Sequence, residues 1–182
     1  MNSFGLGFIA GFIANWVFAM ITRLLPPTWV RYEVRIGEPR KNVSSVGEEW
    51  MSPVTIIPPR WKRALMEPLK EYLIAHVRFD NSGSWYISKW ATGDFSDSRL
   101  RADGGMTVHV FLLSRLGHGG FWGVTDSYGE TKLKVVPKIT SVRIVRSLDN
   151  SIAKEEEFTV LDKDNEITSI HLSKNSSQKK SS

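Results

Sequence analysis

Residues Phe4 to Ile21 form an 18-residue run without a charge, and its one strongly polar member is Asn15. A helix rises 1.5 Å per residue, so Ser3 to Thr22 would span about 30 Å, the thickness of a bilayer's hydrocarbon core. Nine residues of the run are Phe, Leu, Ile or Val. At about −0.3 to −0.6 kcal/mol each near the bilayer centre, they favour insertion by a few kcal/mol, enough to carry one neutral amide. Arg23 closes the run, Pro26 and Pro27 stop a helix, and Trp29 falls at headgroup level. The expectation is a single transmembrane helix over residues 3–25.

Two other fates compete. A buried core helix is disfavoured, because the run is apolar on every face. A cleaved signal peptide finds support in Val17-Phe18-Ala19, which has the small-residue look of a cleavage site. Against it, a signal peptide expects Lys or Arg before its apolar core, and only Met1, Asn2 and Ser3 precede this one.

The flanking charges orient the segment. Arg23, Arg31, Arg35, Arg40 and Lys41 all follow it and none precedes it, so the positive-inside bias puts the N-terminus outside and the remainder in the cytoplasm. The same five residues are candidates for contact with an anionic lipid leaflet. Of the net charge of +5, residues 1–78 carry +4, from ten basic and six acidic side chains. This placement favours a membrane surface over nucleic acid as the source of the basic balance.

Gly7, Gly11, Asn15 and Ala19 recur every four residues and share one side of a helix. Glycines four apart admit a neighbouring helix closely, and an Asn on the same stripe can hydrogen-bond across the contact. Self-association, or association with another membrane helix, is expected through these four positions. The plain alternative is that Gly is simply common in membrane helices.

From Thr28 the pattern changes to short strand-like runs broken by turn residues. Residues 29–36, 72–79, 84–90, 106–113, 120–125, 131–136, 139–146, 158–161 and 167–172 read as strands. Residues 37–53 read as a loop, and Pro58 to Met66 as a short helix ended by Pro68. The turns are explicit at Asp80-Asn-Ser-Gly83, Asp126-Ser-Tyr-Gly129, Asp149-Asn150 and Asp162-Lys-Asp-Asn165. Strands at this spacing predict a mainly-β domain over 28–172, an antiparallel sandwich, with a closed barrel as the alternative. The alternating stretch Tyr72 to Gly83 resembles an immunoglobulin-type hairpin. Residues 173–182 hold nothing to bury and are expected to be disordered.

Catalytic chemistry is poorly supported. With no cysteine in the chain, thiolate nucleophiles, zinc–thiolate sites and disulfides are excluded. His76, His109, His118 and His171 have no second ligand at metal spacing, and no GxSxG elbow is present. Gly117-His-Gly-Gly120 lacks the Lys-Ser/Thr of a phosphate loop, and Asp162 to Glu166 is better explained as a hairpin turn than as a calcium loop. Glu155-Glu156-Glu157 reads as a solvated strand edge. No metal or organic cofactor is called for.

The least bland cluster is Trp85, Lys89, Trp90, Arg99, Arg101 and Trp122. Tryptophan beside Arg and Lys can grip a flat anionic ligand, a nucleotide or an acidic peptide, by stacking and charge-assisted hydrogen bonds. The competing reading puts the three tryptophans in the core and the cations in water. The sequence therefore predicts a membrane-anchored, non-catalytic binding, adaptor or sensor module that self-associates through its helix. A nucleotide-responsive effector that disrupts membranes, a tethered enzyme and a secreted β domain are the alternatives.

Overall fold

The computed structural model describes residues 11, 13–17, 32–44, 47–57, 72–80, 83–91, 98–101, 106–116, 121–126 and 129–173. The chain divides into two compact units, Met1–Arg31 and Tyr32–Ser182. In the first, residues 11 and 13–17 are helical. Among the described residues no helix is long and apolar enough to cross a membrane. Gly7, Ala19, Arg23 and Arg31, the proposed short helix at 58–66, His118 and most of the C-terminal tail lie outside the described residues.

The second unit is built from two antiparallel sheets. The first contains β1 (Glu33–Ile36), β2 (Arg40–Ser44), β3 (Gly47–Ile57), β6 (Trp90–Ala91), β8 (Thr107–Leu116), β9 (Trp122–Asp126) and β10 (Gly129–Leu133). Its order is β1-β3-β8-β9-β10, with β2 on β3 and β6 on β8. The second contains β4 (Tyr72–Phe79), β5 (Trp85–Ser88), β7 (Arg99–Arg101), β11 (Ile139–Arg146), β12 (Ile152–Lys163) and β13 (Glu166–Leu172). Its order is β13-β12-β11-β4-β5, with β7 on β4. No ladder joins the two sheets among the described residues, so the domain is a sandwich and not a closed barrel.

Alternation explains the packing. In β4, Leu73, Ala75, Val77 and Phe79 are buried while Tyr72, Ile74, His76 and Arg78 are half-exposed. Against them stand Val54 and Ile56 of β3 and Val110 and Leu112 of β8, all fully buried in one continuous core. The chain passes from the second sheet to the first at Lys89. There Ser88 Oγ donates to the carbonyl of Phe111 (2.6 Å), and the Phe111 amide donates to the carbonyl of Lys89 (3.3 Å).

Turn chemistry closes the hairpins as expected. Asp164 and Asn165 take φ of 54° and 63° between β12 and β13, the left-handed pair that a two-residue hairpin turn demands. Asn150 (φ 55°) and Gly83 (φ 68°) serve the turns after β11 and β4. In β9, a Cβ on Gly123 would fall on the carbonyl oxygen of Thr131, so only glycine allows β9 and β10 to approach as they do.

The expected loop at 37–53 is a correction. It holds β2 and most of β3, paired from Arg40↔Met51 to Ser44↔Gly47. Polar Ser52 and Pro53 hide the alternation, and a bulge between Trp50 and Met51 breaks its period. Pro53 sits inside a central strand, where its missing N–H should leave an acceptor orphaned. The Gly37 amide donates to the Pro53 carbonyl (2.8 Å), but Pro53 cannot return the bond. Ser52 Oγ donates to the Gly37 carbonyl instead (2.7 Å). Ser52 is fully buried, so truncation to Ala leaves that carbonyl unserved. Ser52→Ala is expected to lower the unfolding free energy by about 1–3 kcal/mol in a denaturant titration. A loss near zero would mean that another donor serves Gly37.

Candidate functional site

The six sequence candidates part company in the fold. Trp90 and Trp122 point into the core, 1% and 2% exposed. The Trp122 indole N–H donates to the carbonyl of Asn165 (3.2 Å), tying β9 to the β12–β13 turn. Lys89 is the single residue that crosses between the sheets, half-exposed. Arg99 and Arg101 are exposed on β7, where Leu100 between them turns into the core. Trp85 is half-buried on β5, on the opposite side of the second sheet from the core.

Register assembles a different cluster around Trp85. In an antiparallel ladder, directly opposed residues share a face. Trp85 opposes Arg78, while Ile87 opposes His76, which in turn opposes Arg143 of β11. On the same outer face Arg99 opposes Ile74 and Arg101 opposes Tyr72. Four arginines, one histidine and one tryptophan therefore share the surface of the β11-β4-β5/β7 half of this sheet.

Two of those arginines converge on the indole. The Arg78 guanidinium carbon lies 4.7 Å and that of Arg143 4.2 Å from the Trp85 ring centroid. Such contacts contribute about 0.5–1 kcal/mol each at exposed sites, more when water is excluded. Arg143 also donates its Nε–H to His76 Nδ1 (3.1 Å). Its direction is informative. Glu155 of β12 lies directly opposite Arg143 in the ladder, yet the guanidinium leans the other way, over β4 to Trp85. Among the described residues no carboxylate pairs with Arg78 or Arg143. Glu155 and Glu157 place negative charge on the far side of the same face, so the face is basic toward β5 and acidic toward β12.

The basic residues singled out near the N-terminus are disposed otherwise. Arg35 bonds Glu33 (2.7 Å), which raises the arginine's pKa and lowers that of the carboxyl. Lys41 pairs with Glu48 (3.1 Å), and Arg40 is exposed on β2. Arg35 and Lys41 thus have counter-ions within the domain, on the first sheet.

His76 was legible in sequence only as a lone strand histidine, and Arg78 and Arg143 not as candidates at all. The available signal was alternation: each follows a core residue at odd spacing, and the Asp80–Gly83 turn sets Arg78 against Trp85. Asp162 to Glu166 forms the β12–β13 turn. No group of three or more His, Asp or Glu able to hold a metal occurs among the described residues. Asn15 and Gly11 lie in the short described helical stretch, exposed.

Burial, and then the Arg143 charge, pushes the His76 pKa below its ordinary value. The neutral imidazole is the form that accepts from Arg143. Because the folded pKa is depressed, the unfolded chain takes up the proton first as pH falls. The His76 contribution is therefore complete above about pH 6.5 and declines below it. Thermal melts from pH 7.5 to 5 should show this decline, and His76→Gln should flatten it. An unchanged slope in that variant would remove His76 from the account. No family model, curated protein or solved structure matches the chain, so the functional reading rests on this geometry.

Proposed function

We propose that the chain is a membrane-anchored, non-catalytic binding module whose β domain presents the outer face of its second sheet to an anionic ligand. The observation that carries this is the pair Arg78 and Arg143 on Trp85, two guanidiniums against one ring with no carboxylate partner among the described residues. Like charges held together cost free energy unless something negative arrives, so such a pair suits binding better than stability. Arg99 and Arg101 extend the positive field along the same face.

The scaffold, which we class with the immunoglobulin-like sandwiches, supplies rigidity and no chemistry of its own. Residues 3–25 supply the anchor in this reading, with the N-terminus outside and the β domain in the cytoplasm. Gly7, Gly11, Asn15 and Ala19 supply its association stripe. Asn15→Leu should then weaken self-association in a membrane assay severalfold, because a buried amide loses its cross-helix partner. Undiminished association would remove that role from Asn15.

The face is tested with the full chain in zwitterionic detergent micelles, titrated with polyphosphate and with polyglutamate. The double variant Arg78→Gln, Arg143→Gln should bind either polyanion at least tenfold more weakly, about 1.4 kcal/mol or more. The double variant Arg35→Gln, Arg40→Gln should bind as the parent does. The reverse pattern would move the interface to the first sheet and overturn the assignment.

A nucleotide is the second reading, in a modified form. Trp90 and Trp122 are enclosed, and the Trp85 ring is already covered by guanidiniums. A base would have little aromatic surface to stack on, while the phosphates would meet the arginines.

A further inference from the structure

We infer that Arg78 and Arg143, seated on Trp85, form a site for a phosphate-type oxyanion, a phosphomonoester or diphosphate, in preference to a carboxylate. This rests on the anion-binding reading of the same face and narrows it to one ligand chemistry.

The argument begins with what stacking leaves exposed. A guanidinium presents its plane to an aromatic ring and keeps its N–H donors at the edge. Arg78 makes no side-chain hydrogen bond to a protein acceptor among the described residues, so its fork remains available. Arg143 commits Nε to His76 and keeps its two terminal nitrogens. The indole and the imidazole fix both side chains, so less rotamer freedom is lost when an anion binds.

A carboxylate has two oxygens in one plane and is satisfied by a single fork. A terminal phosphate has three oxygens arranged around phosphorus and can accept from two forks at once. Its charge, nearer −2 than −1 at neutral pH, matches two guanidiniums. The two guanidinium carbons lie 4.7 and 4.2 Å from one ring centroid, which keeps them within about 9 Å of each other, a span that a diphosphate can bridge with one phosphoryl group on each fork. Glu155 and Glu157 repel an anion from the β12 side and leave the Trp85 side as the approach. A ligand that needed an open aromatic face, such as a bare nucleobase, finds that surface taken.

The experiment uses the full chain in zwitterionic micelles and measures binding of inorganic pyrophosphate and of a tricarboxylate at matched ionic strength. The Trp85 indole N–H signal is followed by NMR. Saturable pyrophosphate binding at least tenfold tighter than the tricarboxylate, with a shift of the Trp85 signal, is the expected result. Arg78→Lys and Arg143→Lys keep the charge and lose the fork, and each should weaken pyrophosphate binding about tenfold. Equal affinity for the tricarboxylate, or lysine variants that bind as the parent does, would overturn the phosphate assignment and leave a general anion face standing. Absence of binding by either anion, and by vesicles carrying phosphatidic acid, would overturn the face itself. Binding to those vesicles without pyrophosphate binding places the phosphate on a lipid headgroup, and the converse places it in solution; either supports the site. The selectivity measurement on the unsubstituted chain stands even where a variant fails to fold.

Discussion

The inter-sheet core sets everything that the outer surface can do. Leu73, Ala75, Val77 and Phe79 must face the first sheet, because together they supply the central strand's whole contribution to the core. Strand side chains alternate, so burying those four forces Ile74, His76 and Arg78 onto the opposite face. A register slip of one residue would carry Arg78 into the core at a cost of several kcal/mol, which is why the pairing is strongly specified. The same logic in β11 buries Val142 and Ile144 and turns Arg143 outward. The Arg–Trp–Arg arrangement is thus a by-product of core registration, with the hairpin turn Asp80–Gly83 supplying the last coordinate.

Charge pairing separates structural cations from the others. Lys154 bonds Glu156 (2.6 Å), Lys41 bonds Glu48 and Arg115 bonds Glu166, each within the sandwich. Exposed pairs of this kind add little stability, since solvent screens them and long side chains lose freedom to form them. They do neutralise charge locally. Arg78 and Arg143 depart from that habit although Glu155 is the ladder neighbour of Arg143. An aromatic ring offers a cation some attraction without cancelling its charge, so the face stays positive while its donors stay ordered.

Most strands could be read from alternation and from turns rich in Asp, Asn and Gly, because each signal is local. The first half of β3 and its partner β2 could not, since β2 is mostly polar, Ser52 stands where an apolar residue would have continued the buried series, and Pro53 reads as a strand breaker. The tertiary bond from Ser52 to Gly37 supplies the donor that Pro53 lacks in this central strand. The site was half legible for a related reason. Tryptophan identity marks a residue that matters but not which side of a sheet it takes: Trp90 and Trp122 went inward and Trp85 outward. Arg78, His76, Arg143 and Trp85 become a cluster only when three strands are set in register, and no local pattern encodes a pairing between residues 76 and 143.

The basic face also has a fixed place relative to the start of the sandwich at Tyr32. Arg146 is buried and donates to the backbone carbonyl of Tyr32 (3.0 Å), where the chain enters the sandwich. In the ladder Arg146 opposes Leu73, and Leu73 opposes Leu100, which is flanked by Arg99 and Arg101. The end of the second sheet that receives the chain is therefore the end that carries these two arginines, while Arg78 lies five residues further along β4 than Leu73. Strands advance about 3.3 Å per residue, so the basic face runs roughly 15 Å away from the entry point.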